Sequence, residues 1–325
     1  MSYVALKSAV DSCVDGDHGG FYRDVKRGLS ATPKFIPCKY FYDDAGSRLF
    51  DRICTLEEYY LTRTERSIML QYVDEMVDEI ESNRLLIEYG SGSSEKTRIL
   101  LDNLDRPAGY VPVDISSEQL TRSAEALSKA YPGLRIIPVC ADYTSADFSL
   151  EEVVGAFPHR VVYFPGSTIG NFDPAEALHF LKGIAGLVGV DGGLLIGIDL
   201  KKEPSILEAA YNDQKGITAQ FNLNVLRRMN RELGANFCLD RFRHRAFYNE
   251  QEGRVEMHLV SQTDQTVRIG ETVIDFAAGE SIHTENSYKY SLDDFERLAT
   301  LAGFCVRRVW KDDRSWFSVQ YLSPL

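Results

Sequence analysis

This 325-residue chain has no run near the roughly 20 apolar residues that cross a bilayer as a helix. Its first twenty residues, MSYVALKSAVDSCVDGDHGG, lack the basic start and apolar stretch of a secretory signal, so a cytoplasmic location is expected. Cysteine is sparse and scattered: Cys13, Cys38, Cys54, Cys140, Cys238 and Cys305 stand singly. Without a C-x-x-C pair or a Cys/His metal spacing, the expectation is reduced thiols, no disulfide framework and no metal. Positive charge is in deficit, with 36 Lys and Arg against 48 Asp and Glu and a net charge of -12, which argues against a nucleic-acid-binding face. Internal repeats and low-complexity linkers are missing as well. What remains is a chain with 44% hydrophobic residues, long enough for one large domain or two.

The most informative stretch is 85–101, LLIEYGSGSSEKTRILL. An apolar run reaches Glu88, Gly90 and Gly92 follow, and a helix-compatible segment begins at Ser94, a plausible N-cap. A buried strand that turns on glycines into a helix is the nucleoside- or phosphate-binding corner of doubly wound α/β folds. The pattern is E-x-G-x-G; Glu95 occupies the place of the third glycine of a dinucleotide fingerprint. An acid before the first glycine is usual in methyltransferases that use S-adenosylmethionine (SAM). Lys96 falls in the first turn of the helix, where the dipole disfavours a cation. A ligand carboxylate nearby would relieve that misfit.

Strand and helix alternate from about residue 64. The stretch 63–82 reads as an amphipathic helix with Ile68, Met69, Tyr72, Val73 and Met76 on one face. Strand one is 85–90 and strand two is 110–116, carrying Asp114. Strand three is 134–143, with Asp142 and Tyr143 at its end. Strand four opens 159–172 and strand five is 192–200, with helices over 94–104, 116–133 and 174–189 between them. Five apolar strands with helical crossovers predict a parallel sheet. The alternation breaks over 201–290, which reads as helix (205–233) and then alternating strands (254–262, 265–276). A helix over 291–304 and strands over 305–313 and 316–323 resume the sheet, the two strands pairing at its edge. We therefore expect an α/β domain, 64–200 plus 289–325, and a second α+β domain, 8–63 plus 201–288, over the carboxyl edge where open α/β sheets bind ligands.

Asp114 can accept hydrogen bonds from both hydroxyls of a ribose, and Asp142 beside Tyr143 suits adenine's amino group and ring face. Each acid alone is as readily a turn cap. Together with the glycine turn they predict a nucleoside site that suits SAM and NAD equally. The loop GSTIGNF, 166–172, offers the Gly166 backbone and the Asn171 amide to a polar substrate; the plainer reading is an ordinary turn. Tyr59 reads as a core aromatic, Met257 as a core residue and Glu285 as a solvated strand residue. Glu285 and Ser287 share one strand face at a period of two, so their side chains can converge on one ligand.

KYFYDDAGSRLFDRI, LEEYYLTRTE, IEYGSGSSEKTRILL, PVDIS, GSTIGN, AYNDQKGITAQFNLNVLRRMNREL and TENS, in this order from about residue 20 onward, resemble the histidine-specific SAM-dependent methyltransferase family. The resemblance implies a Rossmann-like class I methyltransferase sheet interrupted by a substrate domain. It implies SAM as methyl donor at Gly90, Lys96, Asp114, Asp142 and Tyr143. It implies Tyr42, as catalytic residue, and the Gly166 backbone facing the substrate amine. Asn171 and Tyr211 would hold the substrate carboxylate. Tyr59, Glu285 and Ser287 would line an imidazole pocket, with Met257 beside the ring. The implied reaction is Nα-methylation of L-histidine, three times, to hercynine in ergothioneine-type biosynthesis, by a stand-alone monomer. The alternatives are Nα-methylation of another amino acid or a histidine derivative, a dinucleotide-dependent oxidoreductase, and a SAM-binding protein without catalysis.

Overall fold

The computed structural model describes residues 18–325 apart from 93 and 146. The expected start of the second domain, 8–17 with Cys13, lies outside the described residues. The chain forms two compact units, one of Leu61–Lys201 with Lys289–Leu325, the other of residues 18–60 with Lys202–Tyr288.

The first unit is built on a seven-stranded sheet. Its strands are β1 (Leu85–Tyr89), β2 (Gly109–Asp114), β3 (Val139–Cys140), β4 (Arg160–Phe164), β5 (Gly193–Asp199), β6 (Phe304–Lys311) and β7 (Phe317–Pro324). They lie in the order β6-β7-β5-β4-β1-β2-β3. The first five are parallel; β7 runs antiparallel to β5, and β6 antiparallel to β7 at the edge. All residues of β1 and β5 are buried, so these strands read as continuous apolar runs rather than alternating ones. The chain leaves β1 for β2 and β3 on one side and returns to β4 and β5 on the other. The crevice at the carboxyl ends of β1 and β4 is therefore the topological switch point, where open α/β sheets bind ligands.

Three local expectations are corrected. Strand three is only Val139–Cys140, joined to β2 at Val113 and Asp114, with one further bridge from Ile136 to Tyr110. Pro138, which has no N–H, cannot extend the ladder. Ser94 stands before the helix Glu95–Leu101 in the left-handed region (φ 57°), and its hydroxyl reaches back 3.5 Å to the Ser91 carbonyl instead of capping the helix. The helix expected over 63–82 begins earlier, at Tyr60, and runs to Ile80 with a non-helical residue at Tyr72. Ile68, Met69 and Met76 are buried, while Tyr72 and Val73 are half-buried.

The second unit carries a four-stranded sheet in the order Lys34–Phe35, Ser281–Tyr288, Arg254–Ser261, Phe242–Asn249, with a separate hairpin of Gln265–Ile269 and Thr272–Phe276. Phe242–Asn249 is a strand not expected from the sequence: Arg243, His244 and Arg245 stand in succession, which hides the period of two. The helical stretch 205–233 is two helices, Pro204–Tyr211 and Ile217–Glu232. Asp213 divides them by capping the second, its carboxylate accepting from the N–H groups of Ile217 (2.9 Å) and Thr218 (2.7 Å).

Candidate active site

In the first unit the glycine corner follows β1 directly. Gly90 and Gly92 have φ of +72° and +47°, backbone that a side chain would strain. A Cβ on Gly90 would stand 3.6 Å from the Tyr143 hydroxyl, so the bare glycine leaves the crevice open beside that ring. Asp114, at the end of β2, accepts from Gly92 N–H at Oδ2 and from Ser116 N–H at Oδ1, both at 2.9 Å. Each oxygen retains a second lone pair for a ligand hydroxyl. Burial raises the Asp114 pKa, and its backbone N–H donors pull it back. Asp142 takes the turn-capping role as well, accepting from the Thr144 N–H (2.9 Å) and hydroxyl (2.5 Å). Tyr143 packs against Tyr89, Phe164 and Phe180, with ring centroids 5.3–6.1 Å apart. These groups form a turn with an open backbone, a strand-end carboxylate and an aromatic wall, a set that fits an adenosine moiety.

Lys96 ion-pairs with Glu65, a wholly buried carboxylate on the helix Tyr60–Ile80. The awkward cation at the helix start is thus compensated inside the protein, and its position alone does not demand a ligand carboxylate. Both Glu65 oxygens also lie 3.0 Å from the Gly166 nitrogen, so one acid ties Lys96 to the loop after β4. A Cβ at Gly197 would collide with the same carboxylate. Glu65 escaped the sequence reading. Its signal was an acid in the apolar stripe of Leu61, Ile68 and Met69. Gly166 has φ +77°, and Asn171 closes the short helical turn Thr168–Asn171 of the same loop.

Glu88 is itself buried and receives hydrogen bonds from the hydroxyls of Thr97 (2.5 Å) and Tyr110. Burial pushes its carboxyl up to about 7, against those two hydrogen bonds, which lower it. It joins the corner's helix to β2.

In the second unit, residues from distant segments meet. Tyr211 donates a 2.8 Å hydrogen bond to the Ser287 hydroxyl, and the Tyr59 ring stands 6.2 Å from the Tyr211 ring, edge to face. Met257 is buried and lies directly opposite Glu285 across the antiparallel pair. Tyr42 packs on Phe50 (5.7 Å) and Phe221 (5.8 Å), and Phe50 on Tyr59 (6.2 Å). Burial drives the Tyr59 phenol well above 10, reinforced by Tyr211, Cys54, Tyr42 and Glu285, so it is a neutral donor at any physiological pH. His244 bridges Asn222 and the Tyr211 carbonyl at 2.9 Å each, and burial lowers its pKa, leaving a neutral ring that steadies the end of the Tyr211 helix. The sequence reading did not single it out.

A family model described as histidine-specific methyltransferase, SAM-dependent, matches residues 21–324. The chain belongs to this family. It is a SAM-dependent methyltransferase of class I fold. The chain is 40% identical to the histidine N-alpha-methyltransferase of Mycolicibacterium smegmatis, over 98% of its length and 97% of that protein. With the protein of the same description from Mycobacterium tuberculosis the identity is 40%, over 94% and 95%. Ergothioneine biosynthesis protein 1 of Neurospora crassa is 33% identical over 83% of this chain, which spans 31% of that longer protein. Among the described residues no helix is long and apolar enough to cross a membrane.

Proposed function

We propose that this methyltransferase transfers methyl groups from SAM to the α-amine of L-histidine, three in succession, producing hercynine for ergothioneine-type biosynthesis. The observation that carries the reading is the near-full-length 40% identity to two proteins described as histidine N-alpha-methyltransferases. The cluster of Tyr59, Tyr211, Met257, Glu285 and Ser287 supports it with chemistry suited to an imidazole and an amino-acid carboxylate.

In this reading Gly90, Asp114, Asp142 and Tyr143 bind the adenosine part of SAM, and Lys96 binds its carboxylate, sharing its charge with Glu65. SAM supplies an electrophilic methyl on a sulfonium. Asn171 and Tyr211 hold the histidine carboxylate. Glu285 and Ser287 take the imidazole N–H and ring nitrogen, Tyr59 closes the pocket, and Met257 packs beside the ring. Tyr42 and the Gly166 carbonyl orient the amine.

The amine attacks in line with the breaking C–S bond, forming N–C as the sulfur leaves with the electron pair. The amine must first lose its proton, which passes to water. Holding the two reactants together can supply roughly 7–11 kcal/mol of the barrier. After three transfers the nitrogen is quaternary, has no lone pair, and the sequence stops. The reading places the enzyme in the cytoplasm as a monomer.

Mass spectrometry of the enzyme incubated with SAM and each of the twenty amino acids tests the proposal. Histidine should gain three methyls. Histidine left unchanged while another amino acid gains them would overturn it.

A further inference from the structure

The second unit carries a cluster that the methyl-transfer reading does not use. We propose that Glu256, His258 and His283 form a binding site for a divalent ion of the zinc class. One donor atom from each lies within 4.8 Å of the others. Glu256 and His258 are two apart on the strand Arg254–Ser261 and so share a face, and His283 is directly opposite His258 on the neighbouring antiparallel strand. Two ligands at i and i+2 on one strand and a third across from them give three donors on a rigid sheet.

The donors are oriented by their own partners. Glu256 Oε1 accepts from Arg254 Nε at 2.9 Å and from Asn249 at 3.0 Å, which turns Oε2 toward His258 Nε2, 2.9 Å away. At metal–ligand distances of about 2.0–2.2 Å, tetrahedral ligand atoms stand ~3.3 Å apart. An ion replacing the proton between Glu256 and His258 therefore needs that contact to widen only slightly. His283 Nε2 lies 3.1 Å from the Glu285 carbonyl, which can only accept; Nε2 carries the hydrogen and Nδ1 keeps its lone pair, the outer-shell arrangement usual for ligating histidines.

Around the site two carboxylates, Glu256 and Glu252 (3.9 Å from Arg254), stand against Arg254 and Arg245, so ligation rather than net charge must hold the ion. Arg254 is engaged by Glu256 Oε1, and Arg245 and His283 face His258 across the strands. Burial lowers the His258 pKa, and His283 and Arg245 add to this against the Glu256 hydrogen bond. Binding has a cost. The His258 and His283 rings are stacked at 4.7 Å and 12°, and both lone pairs must tilt toward one point. Phe247 stacks on His258 at 5.4 Å, so His283, which is half-buried, makes the larger movement. Three protein ligands of nitrogen and oxygen type leave a fourth position for water, and they suit zinc before magnesium or calcium. The strand that would carry the ion also carries Glu285 and Ser287.

The test is a zinc titration of the full chain, reduced, in competition with a chromophoric chelator and without histidine, itself a chelator. One zinc per chain and a raised melting temperature are expected. His283→Ala should weaken uptake by more than about tenfold and abolish the thermal shift, while the metal-free melting temperature stays in place. His258→Gln should behave alike. Replacing the exposed Cys238 and Cys305 by Ser should leave uptake intact. No uptake, uptake unchanged in both histidine variants, or uptake lost with the cysteines would overturn the proposal.

Discussion

In the first unit, Asp114 and the glycines that face the crevice lie at or just past strand ends and are held by backbone. Asp114 is fixed by two N–H groups, and Gly90 and Gly92 contribute only their conformation. In the other unit, the polar groups come from separate segments and are held by one another, as Tyr211 by Ser287 and Asn222 by His244. The two also differ in how they respond to protons. The first contains Glu88, a buried acid pushed up to about 7, whereas the Tyr59 phenol of the second is held well above 10. A backbone-held site tolerates change in its neighbours but not in its anchoring acid. A site held by side chains is tuned residue by residue.

The sharpest way to break this contrast is Asp114→Ala. It removes a carboxylate that takes two backbone hydrogen bonds, together with its proposed bonds to ribose. We expect SAM binding to fall by about a hundredfold or more, near 3 kcal/mol, read by calorimetry. Unchanged SAM affinity would dissolve the backbone-held description.

Glu285→Ala is the counterpart in the second unit. Loss of a charge-assisted hydrogen bond costs roughly 1.5–3 kcal/mol, so the KM for histidine should rise about ten- to hundredfold while SAM affinity holds. Parallel losses for both substrates would mean that the units do not divide the work.

Glu88→Gln sharpens the titration difference. The folded pKa of Glu88 lies above its ordinary 4.5, at about 7. The neutral acid therefore favours folding: that stability is complete below pH 4.5 and is lost as the pH rises through 7. The variant should gain on the native chain between pH 5 and pH 8, by on the order of 2 kcal/mol, in urea unfolding at the two pH values. A constant difference between the two proteins would remove Glu88 as the titrating group.

The smallest effect is expected from Ser287→Ala, which leaves the Tyr211 hydroxyl without this partner. Stability should drop by about 1 kcal/mol, a shift in the urea midpoint, with a few-fold rise in the KM for histidine. No change in either would show that Tyr211 is placed by packing alone.

Strands β1, β2, β4 and β5 were legible because strands buried on both faces are continuous apolar runs bounded by turn residues. Strand three was legible in place but not in length: Pro138 shortened its ladder at the start, and it ends at Cys140, two residues before Asp142. Phe242–Asn249 was illegible because three polar residues in a row, exposed Arg243 and Arg245 around half-buried His244, obscure the alternation. At the candidate site, Glu65 was hidden for a related reason. An acid in an apolar stripe looks like an error in the pattern until Lys96 and the Gly166 N–H are seen around it.

The amino-acid sequence by itself determined the α/β class, the glycine corner, the strand-end acids and the family, because these depend on local periodicity, on backbone freedom at glycine and on motifs contiguous in the chain. Only the tertiary structure decided that Lys96 is already paired, that Glu88 is buried and titrates near 7, and that Tyr59, Tyr211, Met257, Glu285 and Ser287 meet. Burial and long-range pairing set charge and hydrogen bonding, and neither is a property of neighbours in sequence.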